Sequence, residues 1–123
     1  MNFHLEKTIE DVRGKISFFV QNDKNINILE IKKGFARGGH YHSFTSEHII
    51  ISGTLEYREE NIETKKEEIR LVNAPSIIKV LPNMAHLLIA IEDVVFAEVF
   101  NKKYDTITYP KYRQIVEEKM KSV

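Results

Sequence analysis

The chain has 123 residues, 42% of them hydrophobic and 29% charged, which is the composition of a globular protein with room for one real core. Lys+Arg and Asp+Glu both number 18, so the formal net charge is zero, and this argues against a protein built mainly to hold nucleic acid. There is no cysteine, which excludes disulfides, thiolate catalysis, zinc fingers and iron–sulfur clusters.

At the N-terminus, MNFHLEK lacks the apolar core of a signal peptide. No apolar run anywhere approaches the ~18–20 residues that would span a bilayer. The expectation is a cytoplasmic protein of one domain, residues 1–123, with no membrane or nucleic-acid partner. Short runs rich in β-branched and aromatic residues then follow one another: 15–21 (KISFFVQ), 25–32 (NINILEIK), 47–52 (EHIIIS) and 54–58 (TLEYR). Residues 58–68 (REENIETKKEE) are almost all charge around Ile62 and read as a solvated hairpin tip. Four more runs complete the series at 68–72, 76–81, 87–91 and 94–100. These are strand-length, most are bounded by Gly, Pro, Asn or Asp, and none keeps a helical period. Such a succession predicts an antiparallel sandwich or barrel. After Tyr109-Pro110 the pattern changes. Tyr112, Ile115, Val116 and Met120 recur at helical spacing and Glu117 stands four before Lys121, which predicts a C-terminal helix over 111–121 laid against the sheet.

The chain has five histidines, His4, His40, His42, His48 and His86. On a strand, His40 and His42 share one face, ~7 Å apart, with Tyr41 on the other. With Glu47 inward, Ile49 and Ile51 follow it while His48 and Ile50 face out. His86 stands far downstream at the head of 87–91. His40, His42, His86 and Glu47 thus form a candidate metal set. Imidazoles suit Zn, Cu, Fe or Ni, and the carboxylate extends the choice to Mn. Paired histidines on a strand can equally be solvent-facing or satisfied in a core. His4 and His48 read as bystanders. Glu98, in VVFAEVF, shares parity with Val94, Phe96 and Phe100 and so is expected inside the barrel as an acid–base candidate.

Residues 34–53, GFARGGHYHSFTSEHIIISG, resemble the first motif of the cupins. Gly34, His40, His42, Glu47 and Gly53 fill its places, with one residue fewer than the motif has between Glu47 and Gly53; strict counting puts Ser46 in place of Glu47. His86 matches the histidine of the second motif, with Pro82 and Asn83 before it. Asn is the residue that best replaces Gly at a left-handed turn. The resemblance covers about 28–100 and implies an all-β antiparallel cupin (double-stranded β-helix, jelly-roll) barrel with a short C-terminal helix. It also implies a divalent transition metal (Zn, Fe, Mn or Ni) on His40, His42, Glu47 and His86. Cupins of this kind often pair as homodimers, and Ile50, Leu87 and Ile89 are the outward apolar side chains expected to be covered.

A narrower resemblance lies over it. Asp11-Val12-Arg13-Gly14, Arg37-Gly38-Gly39-His40-Tyr41-His42 and Tyr104-Asp105 are similar to segments of sugar-nucleotide cupins, the dTDP-4-dehydrorhamnose 3,5-epimerases and dTDP-sugar 3,4-ketoisomerases. The cupin domain of some capsular-polysaccharide reductases is similar too, with its His-Tyr-His and following Glu. The resemblance implies isomerisation or epimerisation of a dTDP- or UDP-linked keto-sugar by proton transfer next to the ketone, a task suited to neutral His. His40 or His42 would be the base, with Tyr104 and Glu98 as further acid–base groups. Arg37, and with it Arg13, would meet the pyrophosphate through a guanidinium fork. Arg13 with Gly14 also reads as a simple turn, and Arg37 as the cap of a surface loop. Two other functions fit the cupin motif alone: a metal-dependent enzyme of another class, such as a dioxygenase, and a non-catalytic cupin that holds a small ligand.

Overall fold

The computed structural model describes residues 3–100 and 105–121. Its strands are β1 (His4–Asp11), β2 (Gly14–Gln21), β3 (Lys24–Ile31), β4 (Ala36–Tyr41), β5 (Ser46–Ser52) and β6 (Thr54–Asn61), then β7 (Glu67–Asn73), β8 (Ser76–Val80), β9 (Met84–Ala90), β10 (Val94–Phe100) and β11 (Ile107–Thr108), followed by helix α1 (Pro110–Lys121). Two antiparallel sheets result, one in the order β1-β2-β3-β10-β5-β8 and the other β11-β4-β9-β6-β7. This is the expected all-β barrel with a C-terminal helix, and Pro110 opens that helix, where its missing N–H costs nothing.

The main core lies between the sheets. Leu29, Ile31, Ile50, Val94 and Phe96 from the first sheet meet Leu55, Tyr57, Val72, Leu88 and Ala90 from the second. These are alternate residues of their strands, so the period-two pattern of the sequence is converted directly into an inner face. A second cluster lies outside the barrel, where Tyr112 and Val116 of α1 cover Ala36, Ala85 and Leu87. The helix therefore does within the chain what was expected of a dimer interface at Leu87. Ile89 is partly buried in the same cluster, and Ile50 is not outward at all but fully buried in the main core.

Two further expectations change, and the structure adds a first strand that the sequence was not read for. The charged run 58–68 is not all tip: β6 continues to Asn61 and β7 resumes at Glu67. Glu60 is buried there, accepting hydrogen bonds from the Tyr109 hydroxyl and, at 2.5 Å, from Lys111 Nζ. Its hydrogen-bond partners come from the far end of the chain. β9 starts at Met84, so His86 sits within the strand and not at its head. The turn before it is made by Asn83 in a left-handed conformation, φ 63°, with its N–H donating to the carbonyl of His42 at 2.9 Å. Finally, β1 pairs with β2 but is exposed along its whole length. Among the described residues no helix is long and apolar enough to cross a membrane.

Candidate metal centre and cavity

The site begins with a bulge. Arg37 stands opposite Leu88 and Gly38 opposite Leu87, but His40 stands opposite His86, so Gly39 is an extra residue in β4. In an unbroken strand Arg37 would share its face with Gly39 and Tyr41, and both histidines would face away. The bulge reverses the alternation, and Arg37, His40 and His86 all line one cavity. Gly39 has φ 82°, and a Cβ there would lie 2.7 Å from Cα of Arg113 on the overlying helix. Both the backbone conformation and the close approach of α1 thus require glycine.

His40, His42 and His86 converge. Their ring centroids are 4.8 Å apart for His40 with His42 and with His86, and 5.5 Å for His42 with His86. One nitrogen from each lies within 4.8 Å of the other two, close to the roughly 3–4 Å that separates two nitrogens on one ion. The outer nitrogens are oriented by carbonyls. His86 Nδ1 faces Met84 O at 3.2 Å and His42 Nδ1 faces Asp105 O at 2.5 Å. Each Nδ1 therefore donates, leaving Nε2 with its lone pair, and Nε2 of His86 is buried with no hydrogen-bond partner. Burial, then the charge of His42, pulls the His40 pKa down to about 4, and burial holds His86 well below the usual imidazole range. Both are neutral at pH 7, the form a metal needs. Three converging imidazoles with one orphaned inner nitrogen fit a transition-metal ion.

The cavity has a volume of about 460 Å³, within the ~300–1,000 Å³ usual for small-molecule sites. Phe18, Leu29, Phe96, Phe100 and Leu88 give it apolar walls, and Lys7, Arg13, Arg37 and Arg113 contribute cations. Across its floor runs a row set by strand register. Asn27 of β3 faces Glu98 of β10, which faces His48 of β5. Asn27 Nδ2 donates to Glu98 Oε1 at 3.0 Å, and His48 Nε2 lies 3.2 Å from Glu98 Oε2. Burial would raise the Glu98 pKa, but the hydrogen bonds from His48 and from the amide of Asn27 outweigh it and hold the carboxyl at about 2. An ionised carboxylate can only accept, so His48 donates through Nε2. Its Nδ1 is buried with no hydrogen-bond partner.

The expected site residues fall into place unevenly. His40, His42 and His86 come together, and Glu98 points inward. Glu47 does not: it is exposed on the outer face of β5, opposite Lys79. Ile50 packs in the core, and that fixes the parity of the strand, so Ser46 and His48 turn inward with it and Glu47 turns out. His48, read as a bystander, is 1% exposed and 5.3 Å, ring to ring, from His86. A histidine sharing parity with an inward isoleucine was the available signal; its pairing with Glu98 was not readable. His4 lies on exposed β1. Arg37 is not the cap of a surface loop, being buried with Nε donating to Glu30 O at 2.7 Å and Nη2 to Gly14 O at 3.2 Å. Arg13 is in the β1–β2 turn and forks onto Asp11, 2.7 Å at the shortest, while also lining the cavity. Tyr104 lies outside the described residues.

No protein-family model matches the sequence, and no curated protein sequence does. Solved structures do match the fold. The capsular polysaccharide assembling protein CapF from Staphylococcus aureus superimposes with a TM-score of 0.73 at 18% identity, covering 83% of this chain and 33% of CapF. The formate complex of Lactobacillus farciminis oxalate decarboxylase gives 0.72 at 22%, covering 86% and 34%. Bacillus subtilis oxalate decarboxylase, described with Mn(II) centres, gives 0.74 at 19%, covering 87% and 31%. The chain spans about a third of the length of each. With this topology and these likenesses, the fold is the cupin barrel, and its inner face carries a three-histidine group able to bind a metal.

Proposed function

We propose that the cavity is the active site of a metal-dependent cupin that moves a proton next to a carbonyl, with a nucleotide-linked keto-sugar as the substrate. The observation that carries this reading is the meeting, in one cavity, of His40 and His86, two members of the His40–His42–His86 group, with the buried His48–Glu98–Asn27 row. A divalent ion on the three imidazoles would supply Lewis-acid polarisation of the carbonyl. Those imidazoles are then occupied as ligands, and the base role expected of His40 or His42 passes to His48. Glu98 fixes its tautomer and orientation, and its Nδ1 is the acceptor for the proton. Arg37, Arg13, Arg113 and Lys7 offer charge to an anionic end, and Phe18, Phe96 and Phe100 offer apolar faces to the rest.

The likeness to a capsular polysaccharide assembling protein supports a sugar substrate. A second reading, a metal-dependent cupin acting on a small carboxylate, is supported by the likeness to oxalate decarboxylases and by the same cations. Proton exchange separates the two. Metal-loaded protein is incubated with a dTDP-4-keto-6-deoxy sugar in D2O and the ring positions are followed by NMR. Deuterium entering next to the ketone, and lost in His48→Ala, supports the first reading. No exchange, with no thermal shift by any dTDP- or UDP-sugar, removes it.

A further inference from the structure

Residues 105–113 run against His40, in β4, and His42, just after it. Ile107 and Thr108 pair with Tyr41 and His40. The Tyr109 N–H donates to Gly39 O at 2.8 Å, and the backbone of Arg113 lies against Gly39 where a side chain would otherwise be. Asp105 is fastened to the residue after His42: Ser43 Oγ donates to its Oδ2 at 2.6 Å and the Ser43 N–H faces its Oδ1 at 3.3 Å. That attachment presents the Asp105 carbonyl to His42 Nδ1. The other end is anchored by Lys111 and Tyr109 on Glu60 and by Tyr112, whose hydroxyl donates to Glu67 at 2.6 Å.

We infer that residues 105–113 are a clamp that positions the imidazole group, with the Asp105 side chain holding its own carbonyl so that His42 presents Nε2, and the first turn of α1 holding the Gly39 bulge that brings His40 inside. Asp105 is a positioning residue that acts through His42, and its effect on metal rests on the metal reading above. Groups that orient an imidazole through its outer nitrogen change metal affinity by about 10–100-fold when removed. Asp105 is exposed, so truncating it takes nothing from the core.

The test uses the full chain as wild type, Asp105→Ala, Asp105→Asn and Gly39→Ala. Two-bond ¹H–¹⁵N NMR of the metal-free protein reads the tautomer of His42, and chelator competition reads the release of Co²⁺. Wild type is expected to show His42 with the proton on Nδ1. In Asp105→Ala that tautomer should become mixed and Co²⁺ release should quicken about 10-fold or more. Asp105→Asn, which still accepts from Ser43, should restore both. Gly39→Ala should weaken Co²⁺ further or fail to fold, and in the latter case the Asp105 pair decides. An unchanged tautomer and unchanged release in Asp105→Ala overturn the clamp. If wild type takes up no Co²⁺, the metal reading fails and the tautomer comparison alone still decides the clamp.

Discussion

Glu98→Gln probes the cavity floor with almost no change of shape. Glu98 is 7% exposed and holds two hydrogen bonds, at 3.0 Å from Asn27 and 3.2 Å from His48. Its pKa moves from 4.5 to about 2 on folding. By linkage this difference is worth about 3 kcal/mol of stability at pH 7. Two charge-assisted bonds at ordinary length give a similar figure, about 1.5–3 kcal/mol for each before the amide recovers part of it. Because the folded pKa is the lower one, the stabilisation is complete above the unfolded value of 4.5 and is lost as pH falls towards 2. At pH 3 about 1–1.5 kcal/mol should remain. Urea unfolding of wild type and Glu98→Gln at pH 7, 5 and 3, with chelator present, measures the gap directly. A gap of about 3 kcal/mol that shrinks by half or more at pH 3 is expected. A gap below ~0.5 kcal/mol at pH 7, within the scatter of ordinary surface substitutions, or one that stays constant with pH, refutes the ionised Glu98 and the tautomer assigned to His48.

Metal content should separate the two faces of β5 and β9: His86→Ala should lose most bound ion after reconstitution, while Glu47→Ala should match wild type by elemental analysis. Arg37→Lys keeps the charge but cannot reach both Glu30 O and Gly14 O, and should cost about 2 kcal/mol in urea unfolding even without ligand; unchanged stability would leave Arg37 a ligand-binding group only. Leu87→Ala should cost about 2–5 kcal/mol and raise amide exchange across α1, because Leu87 is the fully buried floor beneath Tyr112 and Val116. The expected homodimer would use the outer face of β5 and β8, where Ile49 and Ile77 are cross-strand partners and Ile51 lies beside them, 37%, 62% and 52% exposed; Ile77→Lys should then give a monomer by light scattering, and a monomeric wild type at high concentration removes the pairing.

Much of this molecule was legible in its sequence because strands and helices write their periods locally. Parity along 94–100 placed Phe96 and Glu98 inside, and the spacing of Tyr112 and Val116 placed α1 on the sheet. Asn83 was readable as a left-handed turn through the cupin resemblance, because it stands where that motif has Gly and Asn best replaces Gly in that conformation. What only the tertiary structure decided is parity and register. A single inserted residue reverses every side chain beyond it, so the bulge at Gly39, which brings Arg37 and His40 to one face, and the phase of β5, which turns His48 in and Glu47 out, depend on partners far away in the chain. The alignment of Asn27, Glu98 and His48 joins strands up to 71 residues apart, and the clamp on His42 and Gly39 comes from residues more than sixty positions downstream. Such contacts leave no periodic trace, because each is a single meeting of side chain or backbone that exists only once the two sheets have closed and α1 has docked.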